Sequence, residues 1–330
     1  MSKIVTPKRL VSTFTWQQIA LLFTAVLSIP TLILSFFIEN PIQLISEYGQ
    51  FFFLGLAGAI VANSTGAGGG IVFIPAFTSM GVAGVSALGT SLAIQCFGMT
   101  AGSLSWLHSM YSQRLDGKGT LQLVYPLLIL TSISSVFGML SAQYFFSSPT
   151  WPVEKIFKYF SIIFGLVLLS AVLRRNKNRQ MHNRLRRRDI PIIAVVCFLG
   201  GVITSWISIG VGEWLALLLF FLGYPTMVVV CVAVCISSIV VLSGIPYHIW
   251  VVDSITWQIL LFAAPAAVIG GSVAHLLSER LGPVKLKIFF SIWVLATGFF
   301  YVGNLTEREF VIKKPLNLCS GFLYNVQMNV

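Results

Sequence analysis

Residues 63–70 read Asn63-Ser64-Thr65-Gly66-Ala67-Gly68-Gly69-Gly70, and they interrupt a stretch that is otherwise apolar across 49–80. A second interruption, Ser205-Trp206-Ile207-Ser208-Ile209-Gly210-Val211-Gly212, divides the apolar stretch 190–223. After each break only some 10–13 residues follow before Gly81 or Gly223. At about 1.5 Å per residue that is roughly 15–20 Å, well short of a hydrocarbon core of about 30 Å. Each region therefore reads as a helical hairpin that enters a membrane and returns.

Composition places these hairpins in lipid. Of 330 residues, 56% are hydrophobic and 9% are charged, where a soluble domain carries roughly 25% charged residues. So few charges cannot cover a water-soluble surface, which excludes a soluble enzyme, and the hydrophobicity excludes intrinsic disorder. The apolar stretches are too long for the alternating segments of about 10 residues that build outer-membrane barrels. An all-α polytopic membrane protein remains.

Full crossings are expected at 15–38, 83–107, 121–146, 157–173, 226–250, 256–277 and 287–304, each near the length a crossing needs. The first follows Lys3, Lys8 and Arg9 and resembles a signal peptide, but its apolar run is too long and no cleavage site follows. It reads as an uncleaved span. Eight of the 21 basic residues lie between Arg174 and Arg188, the signature of a cytoplasmic loop touching anionic lipid headgroups. With the N-terminus inside and both hairpins returning to their side of entry, 16 basic residues fall inside and five outside. Hairpins that crossed twice would give the same count. The net charge of +11 lacks the aromatic interleaving or basic module that nucleic acid would require. The expected organisation is an N-terminal span with flanks (1–48), a first repeat (49–173), the basic loop (174–189), a second repeat (190–304) and a polar tail (305–330).

The repeat is visible in the order of features, some 130–145 residues apart. Gly55 and Gly58 answer to Gly200 and Gly201, the two breaks to each other, and Gly81 to Gly223. Pro126 matches Pro265 and Gly138 matches Gly270. Pro152-Val153 with Phe160-Ser161-Ile162 matches Pro283-Val284 with Phe290-Ser291-Ile292. Each unit holds one broken or re-entrant hairpin and three crossings, so the second is inverted relative to the first. Inverted repeats with interrupted helices are the pattern of secondary transporters.

At this point the chain resembles the TauE/SafE family of sulfite exporters and anion permeases, over roughly residues 49–304. The resemblance is carried by Gly66-Ala67-Gly68-Gly69-Gly70, Pro75 and Ala87-Leu88-Gly89-Thr90-Ser91-Leu92. The second repeat departs from it: Gly210-Val211-Gly212-Glu213 replaces the glycine run, no proline stands near 217–218, and Cys235-Ile236 occupies the expected Thr-Ser position. The resemblance implies transport of small sulfur-containing anions such as sulfite or organosulfonates across the bacterial inner membrane.

The breaks themselves point to anion chemistry. Unpaired backbone groups are tolerated within the bilayer only where they face protein, water or ligand. The second half of each interrupted helix aims its N-terminal amides at the membrane middle, with roughly +0.5 charge. Candidate substrate contacts are therefore Asn63, Ser64, Thr65, Gly66, Gly68, Gly69 and Gly70 at the first break and Ser208, Gly210 and Gly212 at the second. Thr90, Ser91 and Gln95 on the following helix complete the set. The competing reading is that these small residues serve helix packing. Glu213, an acid deep in an apolar segment, is the candidate for proton coupling; otherwise it caps its own helix and repels anions. His108 and His248, at the ends of corresponding helices, are interfacial anchors or proton relays. Trp16, Trp151, Trp257 and Trp293 fit interfacial belts, and Asp116 and Asp253 read as solvated loop residues.

No cofactor and no metal is expected: Cys231 and Cys235 lie one turn apart, but no partner motif completes a zinc site. No paired carboxylates or nucleophile–base pair suggest a membrane enzyme, and no G-x-x-x-x-G-K-[ST] suggests an ATPase. A channel stays open as an alternative, because re-entrant hairpins also build pores. The expected partners are the small anion, the lipid bilayer and, as an option the sequence leaves open, further copies of the chain.

Overall fold

The computed structural model describes residues 40–82, 84–115, 121–146, 153–173, 182, 184–281 and scattered positions between 285 and 296. The expected spans 15–38 and, for the most part, 287–304 lie outside the described residues, as do most of the basic loop and the tail. The chain divides into two compact units, residues 1–50 and 51–330. The described part of the first holds helix α1 (Pro41–Tyr48), which opens on a proline whose missing N–H costs nothing in a first turn.

The second unit carries α2 (Gln50–Thr65), α3 (Gly70–Ser79), α4 (Gly84–Leu115), α5 (Leu121–Tyr144) and α6 (Val153–Leu173). A 3₁₀ turn at Arg187–Asp189 leads into α7 (Ile190–Ile207), followed by α8 (Val211–Leu222), α9 (Thr226–Trp250) and α10 (Trp257–Leu281). No strand occurs among the described residues. Four helical stretches are long and apolar enough to cross a membrane: Gln122–Tyr144, Arg187–Ile207, Thr226–Trp250 and Trp257–Leu281. By the same measure α3 and α8, with 10 and 12 residues, are short apolar helices, as the hairpin reading requires. The first arm of the second hairpin, by contrast, has crossing length.

Hydrophobic sequence explains this pattern in lipid. Helix α9 carries the run Val228-Val229-Val230, which is unfavourable for an isolated helix. In a bilayer every backbone N–H must be satisfied within its own segment, so the helix forms regardless. Its residues Val228 to Ser238 are all buried. Helix α5 instead presents Tyr125, Ile129, Ile133 and Phe137, all more than half exposed, at four-residue spacing. That spacing makes one face, suited to lipid.

Small residues set the close contacts. Helix α2 meets α10 where Gly55 abuts the Ala263 backbone and Gly270 abuts the carbonyl of Leu56. Helix α7 meets α5 where Gly201 abuts the Ser135 carbonyl and Gly138 that of Phe198. Thus the first arm of each hairpin packs against a helix of the other repeat. Close backbone approach at glycine is the usual means of helix association where lipid removes the hydrophobic drive.

The structure also fixes the register of the internal repeat. The first arms end at Gly66 (φ 81°) and Ser208 (φ 58°), both left-handed, and the second arms end at left-handed Gly81 (φ 78°) and Gly223 (φ 88°). Both pairs are 142 residues apart, as are the starts of α4 and α9 at Gly84 and Thr226. In this register Val232-Ala233, not Cys235-Ile236, stands opposite Thr90-Ser91, and His248 stands opposite Trp106 rather than His108. The expected span 83–107 is longer than anticipated: α4 runs through Ser109 and Gln113 to Leu115, beyond its apolar stretch.

Candidate functional site

Both breaks fall where the sequence places them, at 66–69 and 208–210. Gly66 closes α2 with its N–H on the Ala62 carbonyl (3.0 Å), and Ser208 closes α7 with its N–H on the Thr204 carbonyl (2.9 Å). A left-handed residue at this position is the ordinary end of a helix. For serine the conformation costs about 1–2 kcal/mol relative to glycine. Ser208 is held there by its hydroxyl, 2.9 Å from both Ser91 Oγ and Gln95 Nε2. The Thr204 hydroxyl, 2.7 Å from the Ile209 carbonyl, satisfies an acceptor the break would otherwise orphan.

The two breaks touch. A Cβ on Gly68 would run into the backbone of Gly210, one on Gly70 into the Ser208 carbonyl, and one on Gly212 into the Gly66 carbonyl. Only glycine permits this approach. Two adjacent amides of the first break then receive side-chain oxygens from other elements. Gly68 N–H donates to Glu213 Oε1 at 2.7 Å, and Gly69 N–H to Gln95 Oε1 at 2.8 Å. At the second break Gly212 N–H donates to Ser237 Oγ at 3.2 Å. Gln95 and Ser237 are again 142 residues apart, so corresponding positions of the two repeats supply acceptors to the two breaks.

The structure thus brings together Gly66, Gly68, Gly69, Gly70, Ser91, Gln95, Ser208, Gly210, Gly212 and Glu213. It does not bring in Ser64 and Thr65, whose hydroxyls donate back to the Val61 carbonyl of their own helix (3.1 and 2.8 Å). Thr90 faces elsewhere: its Oγ1 accepts the Thr256 N–H at 2.9 Å. Asn63 serves α2 and α4, with its amide on the Ala59 carbonyl and its own carbonyl accepting Trp106 Nε1 at 2.8 Å. Its Oδ1 is buried without a hydrogen-bond partner among the described residues. A small cavity lined by Asn63, Gly69, Phe73, Gln95 and Gly98 offers about 10 Å³ to the centre of a water molecule, room for roughly one water.

Glu213 is 2% exposed in the first turn of α8. The carboxylate reaches across to cap the opposite break, a geometry the sequence reading did not anticipate. Its Oε2 has no hydrogen-bond partner among the described residues. Ser237, Thr204 and Trp106 were missed as contributors to the junction. The histidines part company: His108 is exposed, while His248 is buried with Nδ1 2.9 Å from Ser254 Oγ. A third, His275, packs beside Trp106 with Nδ1 2.7 Å from Ser105 Oγ. Cys197, Cys231 and Cys235 are buried single thiols, and Asp253 is an exposed turn residue.

Several crossing-length helices enclosing two interrupted helices that meet tip to tip define a multi-pass membrane protein of the transporter kind. Residues 51–301 match the family model described as sulfite exporter TauE/SafE, and the chain belongs to that family. Neither the curated proteins nor the solved structures yield a match.

Proposed function

We propose that the protein is a secondary carrier for a small sulfur-containing oxyanion, sulfite or an organosulfonate, working in the bacterial inner membrane. The anion binds at the junction of the two breaks, and access alternates as one inverted repeat rocks against the other. The observation that carries this reading is the pair of adjacent amides at Gly68 and Gly69, both engaged by side-chain oxygens in a buried junction. A pair of donors that holds two oxygens from different side chains has the right chemistry for two oxygens of one anion. Repetition of the break geometry at 142 residues, with reciprocal packing of the hairpin arms on the other repeat's helices, supports the rocking mechanism. Proton coupling runs through Glu213, the carboxylate at the junction. The basic loop rests on anionic headgroups.

Proteoliposomes holding the full chain test this. Sulfite, sulfate, methanesulfonate and acetate are offered in turn, and the expected result is saturable counterflow of sulfite or the sulfonate. Flux as unsaturable current would favour a channel, and no flux of any of the four would end the reading.

A further inference from the structure

The amides that an incoming oxyanion needs are already filled, and from within the chain. Gly68 N–H holds Glu213 Oε1 at 2.7 Å and Gly69 N–H holds Gln95 Oε1 at 2.8 Å. The former distance is that of a charge-assisted bond. No Lys or Arg stands on α2, α3, α7, α8 or α9, and the ion pair among the described residues joins Arg188 to Asp189, not Glu213. The positive pole available to this carboxylate is the broken helix itself. Glu213 is 2% exposed, yet its second oxygen has no hydrogen-bond partner among the described residues. A permanent structural cap buried this deeply would have both oxygens satisfied.

Resting on the reading of the junction as an anion site, we propose that Glu213 is a tethered competitor of the substrate. Its carboxylate fills the oxyanion position at Gly68 in the closed state, and a sulfur oxyanion binds by displacing it. The packing at the junction agrees with this. Gly68 and Gly210 touch through backbone, leaving no space for an added anion while the carboxylate is seated. Substrate entry and release of Glu213 are therefore one exchange: an oxygen of the anion replaces Oε1 on the Gly68 amide, and a second oxygen competes with Gln95 for the Gly69 amide. A protein whose competent state is a minor one shows an affinity reduced by that fraction. Removing the tethered oxygen removes the reduction.

The test is sulfite binding to the full-length purified protein at one fixed pH, comparing wild type with Glu213→Ala and Glu213→Gln. A hydrogen bond to a charged group shifts an equilibrium by roughly 10- to 100-fold. Glu213→Ala is therefore expected to bind sulfite about tenfold more tightly or better, and Glu213→Gln, which keeps a neutral acceptor, by a smaller factor. A residue that merely stabilises the fold would leave affinity unchanged or weaken it. Wild type that binds sulfite, with Glu213→Ala binding no tighter, overturns the competitor role and leaves the anion site standing. Wild type and both variants that bind no sulfite overturn the site and the competitor together. Should Glu213→Ala fail to give monodisperse protein, the Glu213→Gln affinity decides by the same criterion.

Discussion

Gly212→Ala sets two physical effects of opposite sign against each other. Gly212 lies inside α8, where alanine is a better helix former than glycine by about 0.8–1.0 kcal/mol. Judged by propensity alone, the substitution stabilises. The junction dictates otherwise. The new Cβ would sit 2.5 Å from the Gly66 carbonyl oxygen, 2.6 Å from Ser237 Oγ and 2.7 Å from the Ala233 carbonyl oxygen. Ordinary contact begins at 3.4 Å, so three neighbours on two elements must each retreat by 0.7–0.9 Å. Two of them are backbone and cannot rotate away. Overpacking of this kind costs about 1–3 kcal/mol, and parting Gly212 from Ser237 forfeits a further bond of roughly 0.5–1.5 kcal/mol. Set against the propensity gain, a net loss of about 1–3 kcal/mol is expected. Gly81→Ala is the control: it has φ 78° and nothing within 4 Å of its added Cβ, so it reports left-handed strain alone, about 1–2 kcal/mol. Chemical denaturation in detergent micelles gives both stabilities, and sulfite counterflow gives function. Gly212→Ala should lose stability and most of the flux, whereas Gly81→Ala should keep its flux. A Gly212→Ala protein more stable than wild type, with flux intact, would refute the tight junction.

Gln95→Leu removes the acceptor at the Gly69 amide and the donor at Ser208; sulfite counterflow should fall about tenfold or more, since buried unmet groups cost roughly 1–3 kcal/mol each. Trp106→Phe keeps the buried ring but deletes the indole bond to the Asn63 carbonyl, which should lower stability in micelles by about 0.5–1.5 kcal/mol and leave substrate preference unchanged. Tyr224→Phe strips the hydroxyl that donates to Asp189 Oδ2 at 2.9 Å, and denaturation should show a loss of about 1–3 kcal/mol because Asp189 is buried. Burial, with Asp189 beside it, raises the Tyr224 phenol above its ordinary value. The stability this anchor contributes is fully present below the unfolded phenol's pKa and is lost as pH rises through the raised folded value; Tyr224→Phe should flatten that alkaline decline.

Gly66 to Gly70 and Ser208 to Gly212 were legible as breaks because apolar helices in lipid tolerate no unexplained run of small, flexible residues. The directions of individual side chains were not. Ser64 and Thr65 look like donors at a tip, but in an apolar setting a hydroxyl on a helix finds its own i−3 or i−4 carbonyl first. Thr90 is spent on a turn 166 residues away, a contact no local pattern encodes. Ser237 escaped notice because the repeat conserves a job at that position, accepting an amide proton at the break, rather than a residue: glutamine does it in one half and serine in the other. The sequence posed helix packing and anion binding as rival explanations of the glycines, and at this junction they are the same atoms. The backbone of Gly68 packs on Gly210 while its amide holds a carboxylate oxygen. An anion can therefore reach that amide only as the tips part, so whatever tightens the glycine contact must weaken substrate binding in equal measure.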